Sequence, residues 1–171
     1  LSKKLRNYPD PLEVFDSLGS DALRWYLMSS PILRGLDLRI DADGSGIRDV
    51  VRQVLNPIWS AYSFFALYAN IDGFVKDELH TVSPSQLIHL DRWIISKLQT
   101  LIVEVTKAYD DYEPTRAARA IQDFVNDQLS NWYVRLNRKR FWKGEMSEDK
   151  KAAYETLYEC LMVTAQLMSP I

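Results

Sequence analysis

Apolar residues recur at three- and four-residue intervals along most of the chain, the pattern of amphipathic helices that each bury one side. Asp10 followed by Pro11 is a cap and first-turn pair, and predicts a short helix ending near Gly19. Ser20 is placed to cap a second, DALRWYLMS, which must stop before Pro31. Over 32–44 the helical period breaks. LDLRI alternates, so a short extended piece is expected near 37–40, with Asp43-Gly44 as a turn.

Three long helices and a final one follow. The first is expected over about 46–70, with Ile47, Val50, Val51, Val54 and Leu55 inward and Pro57 bending its axis. The second covers about 88–112 and turns Trp93, Ile94, Leu98, Leu101, Ile102 and Val105 inward. The third, 114–142, starts on Pro114 after a break at Glu113. Its core stripe reads Ala118, Ile121, Val125, Leu129, Trp132 and Leu136, so Trp132 and Tyr133 are expected to be packing residues. Ser147 then caps a helix over 148–168, with Glu148 and Asp149 in the first turn where the dipole favours acids. The fold class is all-α: a helical bundle over 45–171, truncated at its C-terminal end, preceded by a small helical and extended unit over 1–44.

Composition narrows the class. Hydrophobic residues form 47% and charged residues 26% of the 171, which excludes an extended disordered chain. No apolar run reaches membrane-spanning length, and the basic N-terminal residues have no apolar segment behind them, so no signal peptide is read there. The absence of an initiator Met and the abrupt end at Ile171 suggest a piece of a longer protein. The lone Cys160, set in an apolar pattern, excludes a disulfide framework and a cysteine-rich zinc site, and is expected to be a small buried residue.

The net charge is −2, so any polyanion site must be a local patch. One candidate exists. LSNWYVRLNRKRFW, 129–142, interleaves aromatics with Arg135, Arg138, Lys139 and Arg140, and no acid falls between Asp127 and Glu145. On a helix, Asn131, Arg135, Arg138 and Trp142 form one strip beside the core. Guanidinium forks suit phosphate oxygens and aromatic faces suit unstacked bases. On composition alone a solvated face, paired with acids such as Asp110 or Asp111, is the leading reading. Phe141 and Trp142 are adjacent, so they cannot both point inward.

Other chemistry is sparse. His80 and His89 lack a carboxylate at ligand spacing, and Asp41-Ala42-Asp43-Gly44 lacks the downstream glutamate of a calcium loop. No metal site and no complete catalytic site is read, and Ser2, Lys3 and Lys4 alone are a solvated basic terminus.

Four blocks, in order, carry a resemblance. LSKKLRNYPDP is similar to the end of the Lys-Met-Ser-Lys-Ser loop of class I aminoacyl-tRNA synthetases and the segment that follows it in isoleucyl-tRNA synthetases. DALRWYLMSSP resembles the helix after that loop. LDRWIISKL and YEPTRAARAIQDFVNDQLSNWYVRLNRKRFW resemble the anticodon-binding helical domain. Asn7-Tyr8-Pro9-Asp10-Pro11 is most similar to the isoleucine enzymes of the eukaryote-like branch, and the valine enzymes share the general helical pattern.

The resemblance covers essentially the whole chain. It implies a stem-contact segment over 1–44 and an anticodon-binding bundle over 45–171. The parent would be a cytoplasmic isoleucine–tRNA ligase using ATP and magnesium, with its catalytic core, editing domain and any zinc module outside these residues. No cofactor is implied here. Ser2, Lys3 and Lys4 would be the remnant of the ATP-phosphate loop, Lys3 being the phosphate-stabilising lysine. Leu1 stands where Met is usual and Lys4 where Ser is usual, and the loop's first lysine is missing. The partner would be the tRNA for isoleucine, contacted by Asn131, Arg135, Arg138, Lys139 and Trp142.

Overall fold

The computed structural model describes residues 10–38, 40–41, 43–76 and 82–171. The helices are α1 (Pro11–Leu18), α2 (Ser20–Ser29), α3 (Ser45–Val50), α4 (Asn56–Asp72), α5 (His89–Asp110), α6 (Pro114–Asp123), α7 (Arg135–Trp142) and α8 (Glu148–Met168). Two π-wound stretches, Val51–Leu55 and Phe124–Val134, join α3 to α4 and α6 to α7 without a break. The long helices expected over 46–70 and 114–142 are therefore continuous, each with a widened portion.

Local chemistry explains most boundaries. Asp10 caps α1 by accepting from the Leu12 amide at 2.9 Å, and Ser147 caps α8 by accepting from the Lys150 amide at 3.1 Å. Ser20 is not a cap. It lies inside α2, and Gly19, at φ 87°, takes the cap position without a side-chain bond. Pro57 stands one residue beyond the first π-wound stretch, at the second position of α4, where the wider preceding turn accommodates its missing N–H.

No strand forms among the described residues near 37–40. A lone extended segment needs a neighbour to take its backbone hydrogen bonds, and Asp37, Leu38 and Ile40 have none among the described residues. The acidic turn beyond it opens α3: Asp43 accepts from the Ser45 amide at 3.1 Å, and Asp41 from the Ser45 hydroxyl at 3.1 Å.

α4, α5, the 114–142 helix and α8 pack around one core of Ile94, Leu98, Val105, Ile121, Val125, Leu129, Leu157 and Cys160, all fully buried. Cys160 is an apolar filler there, and burial pushes its thiol well up. α1 and α2 form a small cluster of their own on Ile47, through Val14 and Ala22, while Trp25 of α2 reaches into the main core. The Thr115 hydroxyl seals the contact by donating to the Met28 carbonyl at 3.0 Å.

One expectation about the core fails instructively. Trp132 and Leu136 are 57% and 55% exposed. The inner series instead reads Ile121, Val125, Leu129, Tyr133, Asn137, Phe141, a constant step of four. On an α-helix of about 3.6 residues per turn such a step drifts around the axis. The i→i+5 winding of Phe124–Val134 puts more residues in each turn and holds the series on one side. Tyr133 thus takes the core place expected of Trp132, which lies outside against Trp93 with ring centroids 6.3 Å apart.

A polar cluster ties α4 to α8. Asp72 accepts from the Lys150 ammonium at 2.6 Å and from the Tyr154 hydroxyl at 2.5 Å. Burial works against the Asp72 charge, but these two hydrogen bonds and the Lys150 charge outweigh it and hold the carboxyl below its ordinary value.

Two outcomes follow. Tyr133→Ala should cost about 3–5 kcal/mol and Trp132→Ala only about 1 kcal/mol, read from urea midpoints; the reverse ranking would restore Trp132 to the core. Because the folded Asp72 carboxyl titrates below its ordinary 3.8, its contribution is complete above that value and is lost as pH falls below it. The stability gap between wild type and Asp72→Asn should therefore be constant from neutral pH down to about 5 and close in stronger acid.

Candidate nucleic-acid interface

The basic stretch divides in two. Arg140 turns inward to Asp91, which has no exposed surface. The guanidinium donates Nη1–H to Asp91 Oδ1 at 2.7 Å and Nη2–H to Oδ2 at 2.9 Å, a two-toothed pair. It also donates through Nε to Asp149 Oδ2 at 3.0 Å and through Nη2 to Asp149 Oδ1 at 2.7 Å. The Tyr133 hydroxyl donates to Asp91 Oδ1 at 2.7 Å, and the Ile88 amide to Oδ2 at 3.3 Å. Burial disfavours the Arg140 charge, but its bonds to Asp91 and Asp149 outweigh that and keep it protonated. Burial, and then Asp91, push the Tyr133 hydroxyl far above its ordinary value, so it stays a donor.

Arg135, Arg138 and Lys139 turn the other way. All three are exposed, and their side chains have no ion-pair or hydrogen-bond partner among the described residues. With Leu136 and Trp142 they form one wall of an open groove of about 790 Å³, whose other wall is Phe64 and Tyr68 of α4. Phe64 is held there by the buried Phe141, edge to face at 5.2 Å, and by Tyr68 at 5.0 Å. Asn131 is exposed but does not line the groove. Ser2, Lys3 and Lys4 lie outside the described residues.

The arrangement offers cations unneutralised by local acids beside aromatic faces set in place by packing. Asp110 and Asp111, weighed as partners for the basic stretch, take no part; Asp91 and Asp149 pair with Arg140 alone. Phe64 and Tyr68 are groove residues that the sequence pattern missed. Their spacing of four marks a shared helix face, but nothing local in the sequence says which helix that face meets. Phe141 is buried and Trp142 is 57% exposed, so the adjacent pair is split as expected.

Residues 91–171 match the family model described as the anticodon-binding domain of tRNA ligase. Over those residues the chain is similar to an anticodon-binding domain of the tRNA-ligase type. The match opens on Asp91 and takes in the whole Asp91–Arg140–Asp149 clamp, whereas the aromatic wall on α4 lies upstream of it. Likeness to known ligases extends further. The isoleucine–tRNA ligase of Bacteroides thetaiotaomicron is 53% identical over the whole chain, which amounts to 14% of that protein. That of Cytophaga hutchinsonii is 52% identical, and that of Rickettsia bellii 44%, each with 15% of the relative covered. The chain thus spans about a seventh of the length of the curated relatives it matches.

Within this bundle the two kinds of arginine should separate cleanly. Arg140→Ala strands a buried carboxylate and should destabilise by about 3–5 kcal/mol in chemical denaturation. Arg138→Ala should change stability by about 0.5 kcal/mol or less.

Proposed function

We propose that this chain is the tRNA-docking portion of an isoleucine–tRNA ligase, of the eukaryote-like branch, and that the groove between α4 and α7 meets the tRNA for isoleucine. The parent enzyme activates isoleucine with ATP and magnesium in the cytoplasm and transfers it to that tRNA. Residues 1–44 serve as the end of the signature loop and the stem-contact segment, and 45–171 as the anticodon-binding bundle. Ser2, Lys3 and Lys4 are the ATP-phosphate remnant. Among the described residues no group of three or more His, Cys, Asp or Glu could hold a metal ion, so no step is assigned to magnesium here.

The observation that carries this reading is the set of three unpaired cations facing aromatic rings across one groove. Cations bound for structural use are paired, as Arg140 is. Arg135, Arg138 and Lys139 are left to a ligand, and phosphate is the anion that RNA presents most densely. Trp142, Tyr68 and Phe64 offer faces for unstacked bases, which single-stranded loops expose. Asn131, outside the groove, extends the same helix toward the backbone on either side of that contact.

In the parent ligase, Arg135→Ala with Arg138→Ala should raise the apparent Kd for tRNA. It should also flatten the salt dependence of binding by about 0.7–0.9 log units per log unit of salt for each phosphate interaction removed. Isoleucine-dependent pyrophosphate exchange, which needs no tRNA, should stay near wild type. A folded double mutant with unchanged affinity and salt slope would return these arginines to plain surface charge.

A further inference from the structure

Trp93 and Trp132 take no part in the groove. Trp93, on α5, is half-buried and packs against the main core, whereas more than half of Trp132 meets water. Their planes are inclined at 46° with centroids 6.3 Å apart. That is neither the offset stack nor the edge-to-face contact that aromatic pairs prefer, so the two indoles form an open wedge rather than a closed pair. A single exposed tryptophan needs no explanation, but two from different helices meeting at the surface do.

The surroundings of the wedge say what it takes. Arg135 and Leu136 follow Trp132 by three and four residues, which puts them beside it on the helix surface, and both line the groove. On the other helix Lys97 stands one turn beyond Trp93. Its side chain is exposed and, like that of Arg135, has no ion-pair or hydrogen-bond partner among the described residues. No acid occurs from Arg92 to Val103 or from Gln128 to Gly144, and Asp91 is buried against Arg140. Unneutralised cations therefore stand on both sides of the two rings. Lysine is depleted from protein–protein contacts, whereas cations beside open aromatic faces are what a single nucleic-acid strand meets. Resting on the tRNA reading above, we propose that the Trp93–Trp132 wedge is a second stacking site, which takes one unpaired base of the RNA strand whose phosphates meet Arg135. Arg135 is then shared between the groove and the wedge, and the strand runs across the third helix from one to the other. Stacking of this kind accepts any base, so the wedge adds affinity and fixes the position of the strand without choosing its sequence.

The test uses the parent ligase, its tRNA, and the variants Trp132→Ala and Trp132→Phe, which keep the fold because the side chain lies outside the core. Affinity is measured across a salt series, and tryptophan fluorescence is followed in the same titrations. Trp132→Ala should raise the Kd for tRNA about fivefold or more while the salt slope stays at the wild-type value, since a stacked base is lost and no phosphate contact is. Trp132→Phe keeps a ring and should recover most of the loss. tRNA should also quench a component of the wild-type emission that Trp132→Phe lacks. Wild-type affinity in Trp132→Ala overturns the inference. So does a flattened slope in that variant, which would mean that the change acts through the arginines. If acrylamide fails to quench the Trp132 component in the tRNA-free ligase, protein covers the wedge and the inference is also overturned. Failure of the groove reading shows instead as an unchanged slope in the Arg135→Ala, Arg138→Ala double variant, whereas the wedge is read from affinity at constant slope, so the two failures are distinguishable. A wild-type ligase that did not bind tRNA would sink both.

Discussion

Asp91 is wholly removed from water, and a carboxylate in that position is tolerable only when its charge is matched and its oxygens are filled. Arg140 and Tyr133 meet that demand from the helix opposite, and the Ile88 amide completes it. Both partners must then face α5. That requirement sets the rotation of α7 about its axis, and so determines which residues of the basic stretch point outward. Arg135, Arg138 and Lys139 are exposed because Tyr133 and Arg140 cannot be. Asp149 extends the constraint to the first turn of α8, so one buried charge positions three helices.

The π-wound stretch Phe124–Val134 is what lets α6 and α7 satisfy the core together. α6 buries Ala117, Ala118 and Ile121, and α7 must bury Asn137 and Phe141 while delivering Arg140 to Asp91. Regular α winding would carry one set off the core side by the time it reached the other. Wider winding absorbs the difference over eleven residues. The cost is exposure of Trp132 and Leu136, which lie beside the cationic strip rather than beneath it.

This is also where reading the sequence stops. Helix starts and breaks were legible because their chemistry is local: Asp10 and Ser147 accept from amides two and three residues on, and Pro114 opens its helix with a fixed φ where no N–H is needed. The fold class was legible because apolar spacing repeats through four long segments. The inner face of 124–142 was not, because stripes stepping by three or by four fit the same letters until the hydrogen-bond pattern is known. Arg140 could not be told from Arg138 either, since the partner that separates them lies 49 residues away. The groove had a single legible wall for the same reason. Basic residues crowd one segment, while Phe64 and Tyr68 reach them only through tertiary packing.

The two walls of the groove also differ in what they contribute. Every cation comes from α7 and none from α4, so salt screens one wall's contribution and leaves the other's almost untouched. A site of this kind works only if the walls keep their spacing. Two adjacent residues of α8 supply that. Asp149 holds α7 through Arg140, and Lys150, next to it, holds the end of α4 through Asp72, with Tyr154 one turn on binding the same carboxylate. Opposite charges on neighbouring residues of a single helix turn thus reach opposite walls. Each bond is short and at least one partner in each is largely buried, so neither is easily screened or lengthened. The first turn of α8 is the spacer of the groove, although none of its residues lines it.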